Sequence, residues 1–278
     1  MPQSVLCLIT LLAVTSPVSS HADAAEAVER FLSAWNSGDM VRLRGEVRYP
    51  FMSLMGPGAM HVAERPEEFV VDFESMRRDN GWVRSELEPQ AYPVVSESQV
   101  HVVCRWARVN SDGETYREGR VYYVVHGRES NPAIVFRMPL VSSEINVESA
   151  AAVRETIDAL LSTWNAADNP GMAELMRFPH AFLLPGGSVR IAHEPAELAT
   201  DFDALRENEG WDHSKFHDLD IVYADRNHAI AHVTFTRHTA DGAAYNSVPA
   251  VYILSKTADA GRWGFVVRAV LGSVEGAG

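Results

Sequence analysis

Imidazole changes charge closer to neutral pH than any other side chain, and this chain crowds it into its second half. His180, His193, His213, His217, His228, His232 and His238 all lie there, out of 11 histidines in total. In "EGWDHS" (209–214), His213 stands next to Ser214, an imidazole beside a hydroxyl, the residue types of acid–base work. Neighbours in a strand point to opposite faces, however, so the two should not face one substrate. The first half has Arg84 where the second has His213, and keeps only the serine, Ser85. Metal ligation needs side chains converging at about 2 Å from one point. His228 and His232 would lie roughly 13 Å apart along a strand, and no His–Cys or His–carboxylate spacing offers another set. No metal is expected.

Guanidinium is the second chemistry on offer. Arg48 and Arg177 each precede an aromatic residue and a proline, and Arg137 and Arg268 fall in the last strand pattern of each half. Either pair could clamp an anion through its planar fork. Either could equally pair with the acidic side chains, which are in excess at 37 against 24 Lys and Arg. Trp82 and Trp211 each follow a glycine that ends a helix pattern. They would form an aromatic pocket wall or, as large apolar groups, seal the core. The chain has no glycine-rich phosphate loop, no Gly-x-Ser-x-Gly elbow and no Cys-x-x-Cys, so nucleotide, serine-hydrolase and redox readings lack their parts. No cofactor is expected.

These residues are set in a sequence that says everything twice. Trp35 and Trp164 are 129 positions apart, and the same offset joins Arg48-Tyr49-Pro50 to Arg177-Phe178-Pro179. It joins Asp72-Phe73 to Asp201-Phe202, Gly81-Trp82 to Gly210-Trp211, Ser85 to Ser214, Arg108 to Arg237 and Tyr123 to Tyr252, with no gap. A period this long is a duplicated domain rather than a solenoid unit. The polar stretch "PLVSSEINVESA" (139–150) reads as the linker between domains at 23–140 and 150–274.

Each copy opens with a helical stripe: Val28, Phe31, Leu32 and Trp35, then Ile157, Leu160, Leu161 and Trp164. Gly38 should stop the first, and Ala-Asp-Asn-Pro-Gly at 167–171 the second. A second helix is expected from Pro66 or Pro195, with Phe69, Phe73 and Met76, or Leu198, Phe202 and Leu205, on its buried face, ending at Gly81 or Gly210. Then the period becomes two. Val100, Val102, Cys104 and Trp106, matched by Ala229, Ala231, Val233 and Phe235, line one face of a strand, and Asp-Gly at 112–113 and 241–242 marks hairpins. The fold class is α+β, with helices packed on one face of a curved antiparallel sheet in each copy.

A formal charge of −13 argues against nucleic acid, which needs a basic face. "VLCLITLLAV" (5–14) is too short to span a bilayer and has the length of a signal-peptide core, with small residues after Pro17. The expectation is residues 1–20 as an export signal, cleaved after Ser20 or Ala22, and a periplasmic or secreted protein. The alternative is a cytoplasmic protein with an apolar N-terminal helix. Of the two cysteines, Cys7 would leave with the signal and Cys104 reads as a buried small hydrophobe. An integral membrane protein is not expected.

With "FLSAWNSGDM" in the opening helix and the long closing strands, both copies resemble the NTF2-like superfamily, the cone fold of ketosteroid isomerase and SnoaL-type cyclases. The second copy is similar to an uncharacterised bacterial SnoaL-like branch in "RFPH", "EGWDHS", "FTRHTADG" and "GRWGFVVRA". Isomerases of this family use a tyrosine, a carboxylate base and a protonated acid. The resemblance puts the tyrosine at Phe31 and Leu160 and the base near Met55 and Leu184, and no carboxylate stands in "RVYYVV" or "PAVYIL". It therefore implies a pseudo-dimer within one chain that binds a small, largely apolar molecule or serves as an interaction module. The alternative is an isomerase, cyclase or hydrolase acting through His213 or His180 of the second copy alone.

Overall fold

The computed structural model describes residues 21–58, 60–127, 132–257 and 261–272. The segment read as an export signal lies outside the described residues. Two units of the same plan follow one another. The first runs α1 (His21–Ser37), α2 (Met40–Gly45), β1 (Val47–Ser53), β2 (His61–Ala63), α3 (Phe73–Asn80), β3 (Trp82–Val95), β4 (Gln99–Asn110), β5 (Thr115–His126) and β6 (Ala133–Leu140). The second repeats it as α4 (Val147–Asn165), α5 (Asn169–Glu174), β7 (Met176–Leu183), β8 (Val189–Ala192), α6 (Phe202–Glu209), β9 (Trp211–Ala224), β10 (His228–Thr239), β11 (Ala244–Lys256) and β12 (Trp263–Val270).

Each unit is one six-stranded sheet, ordered β2-β1-β6-β5-β4-β3 and β8-β7-β12-β11-β10-β9. The fold class is the α+β arrangement expected, two cones with helices against a curved sheet. One pairing departs from the antiparallel rule: β1 runs parallel to β6, and β7 to β12. The first strand of each unit enters before α3 or α6 and joins the last strand from the same direction.

The second helix differs from its expected span. Pro66–Glu68 and Pro195–Leu198 form only single 3-10 turns, and α3 and α6 begin later, at Phe73 and Phe202. The reason is a better cap downstream. Asp72 accepts from Ser75 N–H and Asp201 from Ala204 N–H, each satisfying a donor at the new helix start. Gly81 and Gly210 close these helices in the left-handed conformation, at φ +62° and +69°. The stretch expected to stop the opening helix of the second unit also starts the next one, since Asp168 caps α5.

Three apolar cores result. One lies between helices and sheet in each unit, and the third lies between the two sheets. In the third, Tyr122, Val124 and Phe136 of the first unit meet Ile230, Val251 and Ile253 of the second. Polar contacts tie the same seam: Gln99 Nε2–H donates to Val270 O at 2.9 Å, and Val141 N–H to the Tyr223 hydroxyl at 2.9 Å. The strip expected as linker is mostly built in: Leu140 still belongs to β6, and Asn146 caps α4. No helix among the described residues is long and apolar enough to cross a membrane.

Candidate functional site

The repeated phrases meet in space. Asn36 of α1 clasps β3 from both sides: its Oδ1 accepts from Ser85 N–H at 2.7 Å and its Nδ2–H donates to Ser85 O at 2.9 Å. The Ser85 hydroxyl accepts two indole N–H groups, Trp35 at 3.1 Å and Trp82 at 3.0 Å. In the second unit Asn165, Ser214, Trp164 and Trp211 do the same. A serine oxygen that satisfies two large indoles explains why tryptophan, asparagine and serine recur together: each buried N–H needs a partner. The clasp fixes the opening helix over the concave face of the sheet.

Behind the clasp each unit has a half-open cavity, lined in part by equivalent residues. That of the second unit is about 320 Å³ and that of the first about 110 Å³. Side-chain size accounts for the difference. Where the first has Phe31, Trp106 and Val121, the second has the smaller Leu160, Phe235 and Ala250. Trp106 lies across β5 because its cross-strand neighbour is Gly119, whose added Cβ would come within 3.0 Å of the indole. In the second unit Val248 faces Phe235 instead. Phe51 and Phe69, with ring centres 4.7 Å apart, pack against Arg137 where the second unit has His180 and Leu198, of which Leu198 lines the larger cavity.

The polar end of the larger cavity is built from β11 and β12. Tyr252 and Arg268 are cross-strand neighbours and both line it. Arg268 Nε–H donates to His180 Nε2 at 3.2 Å, and His180 Nδ1–H donates to Phe265 O at 3.0 Å. That pair of bonds sets the tautomer of His180. Burial, reinforced by the Arg268 charge, holds this imidazole well below its ordinary range and therefore neutral. Burial also pushes Arg268 down to about 10, with Tyr252 opposing and Arg190 adding to the effect; the guanidinium stays charged at neutral pH. Both Arg268 and Arg190 lie over the Phe182 ring, at 4.6 and 4.2 Å. Among the described residues neither arginine has an ion-pair partner. The third lining arginine, Arg237, is paired with Glu209 at 2.6 Å. Among the described residues the lining of this cavity includes no aspartate or glutamate.

In the first unit Arg137 and Tyr123 occupy the same cross-strand pair. Arg137 Nε–H donates to Ser53 Oγ at 3.0 Å, and its guanidinium lies over Phe51 and Phe69. Glu86 reaches the rim of this cavity but is exposed and paired with Arg84 at 2.9 Å.

The sequence candidates divide cleanly on this geometry. Arg137 and Arg268 are cavity residues. Trp82 and Trp211 do not line the cavities: each is 2% exposed, packed on Phe73 or Phe202 in the core, and the wall positions go to Trp35 and Trp164. A tryptophan that begins a strand under a helix end points into the core, whereas one on the opening helix faces the sheet across the cavity. His213 lies outside the cavity as well. Its Nδ1 meets Asp212 at 2.9 Å and its ring stacks on His238 at 4.9 Å, while Ser214 points inward. His180 is fully buried with both ring nitrogens engaged. Arg177 is spent on the carbonyl oxygens of Met176, Arg262 and Trp263, and neither it nor Arg48 lines a cavity. Arg190 and Tyr252 were missed as site residues. Tyr252 was visible only as a repeat match, and Arg190 has His61 at its place in the first copy. Among the described residues no group of three or more potential metal ligands converges.

Residues 148–271 match a family described as NTF2-like protein (DUF6841). Comparison with curated proteins gives no match. Solved structures similar to part of the chain include a Nostoc punctiforme protein of unknown function with a cystatin-like fold (14% identity, 46% of this chain and 92% of that one, TM-score 0.38). Others are a ketosteroid isomerase-like protein from Erwinia carotovora atroseptica (18%, 45% and 96%, TM-score 0.34) and an NTF-2 like protein of unknown function from Shewanella oneidensis (14%, 42% and 96%, TM-score 0.34). Residues 148–271 are thus an NTF2-like domain, and the first unit, built from the same elements in the same order, makes the chain a tandem pair of NTF2-like cones.

Proposed function

We propose that the second cone binds a small, largely apolar molecule and does not turn it over. The observation that carries this is the half-open cavity of about 320 Å³, which is lined mainly by apolar side chains and walled on one side by Leu160, Leu161 and Trp164 of the clasped helix. A volume at the lower end of ligand pockets, with a few polar groups gathered at one end, is the usual anatomy of a binding site. The positions at which the family resemblance puts an isomerase's tyrosine and base, Leu160 and Leu184, lie on its wall as apolar residues. The two histidines that a catalytic reading would use give it no support. His213 is outside the cavity, and His180 has no ring nitrogen left to take a proton.

A thermal-shift screen of the full chain with steroids, polyketides and fatty acids, followed by turnover assays on each binder, tests the proposal. The expected result is a stabilising ligand that is recovered unchanged. The shift should vanish when the cavity is filled by Leu160→Phe with Ala250→Val. Turnover of any binder, or a shift that survives filling, would overturn it. Export is part of the same reading and rests on residues 5–14; the N-terminal mass of protein recovered outside the cytoplasm should place the first residue after Ser20 or Ala22.

A further inference from the structure

We propose, resting on the reading of the second cone as a ligand cavity, that its ligand is an apolar monocarboxylate whose carboxylate is held by Arg268, Tyr252 and Arg190. The geometry begins with what Arg268 has already committed. Its Nε–H is taken by His180 Nε2, and His180 is itself pinned by Phe265 O. A guanidinium has five N–H donors. The four on its two terminal nitrogens have no protein acceptor among the described residues, and Arg268 lines the cavity. His180 is therefore a positioning residue, fixing the guanidinium so that its far end is presented to the cavity. Tyr252, directly across the strand pair, adds a hydroxyl on the same concave face.

Charge accounting selects the anion. An enclosed cation without a counter-ion is costly, and the opposite charge with matching hydrogen bonds relieves that cost. A carboxylate matches the two parallel donors of a guanidinium end in shape and its single charge in magnitude. A phosphate dianion would bring a second charge into walls formed by Leu161, Met172, Met176, Phe216 and Phe235, where an unpaired charge is strongly disfavoured. Arg190 is exposed while lining the cavity, which places it at the mouth, where a positive group draws an anion inward. The first cone lacks the room for such a ligand: its Arg137 is covered by Phe51 and Phe69, and its cavity is about 110 Å³.

Titration calorimetry of the full chain with matched pairs, 1-naphthoate against 1-naphthamide and 4-phenylbutyrate against 4-phenylbutyramide, separates the anion claim from the cavity claim. The acid should bind roughly ten- to a hundredfold tighter than its amide, the range for a hydrogen-bonded charge. Arg268→Gln should erase that preference while amide binding persists. His180→Leu, which removes the acceptor behind Arg268 Nε–H at similar side-chain volume, should shrink the acid-to-amide ratio without changing amide affinity, which a merely structural role would not do. Should Arg268→Gln fail to fold, Tyr252→Phe and Arg190→Gln carry the test, each lowering the ratio severalfold. Equal affinity for acid and amide, or a ratio unchanged by these variants, overturns the carboxylate claim and leaves the cavity reading standing. Tighter binding of phenylphosphonate than of benzoate overturns it in favour of a dianion. No binding by either member of any pair at millimolar concentration overturns both.

Discussion

The two cones hold the same arginine–tyrosine pair at the same strand crossing, yet the cavity beside it is about 110 Å³ in the first and about 320 Å³ in the second, the hollow cone. In the first, Trp106 lies over Gly119 and the Phe51–Phe69 pair closes on Arg137; in the second, Phe235 stands by Val248, and His180 backs Arg268 from behind. A few substitutions on a common frame therefore decide whether a buried guanidinium is covered by aromatic rings or presented to a cavity. What stays the same is the clasp of Trp, Asn and Ser, and it stays because it holds the helix to the sheet in either case.

The largest effect expected is on that clasp. Trp211→Ala and Trp82→Ala should each cost about 3–5 kcal/mol, and equally in the two units if the frame is shared. Ser214→Ala should cost about 2 kcal/mol by stranding two indole N–H groups. Chemical denaturation followed by tryptophan emission measures both; a large cost in one unit only would show that the frames are not equivalent.

Acid should act next, and mainly through the seam and the hollow cone. Burial holds His101 at about 3 and His126 at about 4, and holds His232 and His180 below their ordinary value, so all four are neutral when folded. Unfolded histidine binds its proton near 6.5. Below that pH the unfolded chain gains protons that the folded chain refuses. Stability is therefore complete above about pH 6.5 and falls as pH drops toward the folded values, by a few kcal/mol in all. Denaturation midpoints between pH 7.5 and 5, above the main carboxylate range, would show the slope; a flat profile there would mean that these imidazoles take up protons without cost.

A smaller change should move one cone toward the other. Phe235→Trp with Val248→Gly copies the first unit's packing into the second. It should abolish ligand-induced thermal shift while changing stability by no more than about 1–3 kcal/mol. Persistence of the shift would mean that the cavity is not where ligand sits. The smallest effect belongs to His213→Ala, within about 0.5 kcal/mol and without effect on binding, because His213 stacks on His238 outside the cavity. An equilibrium melt with a ligand titration checks both halves of that statement.

Much of the frame could be read from residues alone, since the clasp is local and repeated: Trp35-Asn36 and Trp82–Ser85 announce themselves by recurring 129 positions later. The helix after Pro66 starts later than the sequence suggests because proline suits a first turn of either type, while the decisive cap is Asp72, a repeat match whose side-chain bond to Ser75 only geometry displays. The site was less legible. Its polar end comes from residues on neighbouring strands, Tyr252 and Arg268, that no spacing along the chain brings together. His180 was noticed for its imidazole, but its role as an acceptor behind an arginine depends on β7 lying beside β12 in parallel, which hydrophobic periodicity does not encode.

The seam between the sheets has a consequence for how copies of this chain can assemble. Gln99 and His228 occupy the same place in the repeat, but Gln99 reaches the carbonyl of Val270 and His228 reaches that of Gly56. In a two-fold dimer of identical units each such position would make the same contact twice. Here the two sides of the seam are chemically different, like a key and its lock rather than two matching hands. Neither of these two contacts can form between two first units or between two second units, since each needs one residue from either unit. A strand-for-strand exchange between chains would therefore have to join a first unit to a second, and the polypeptide connection between them keeps that correct partner always within reach.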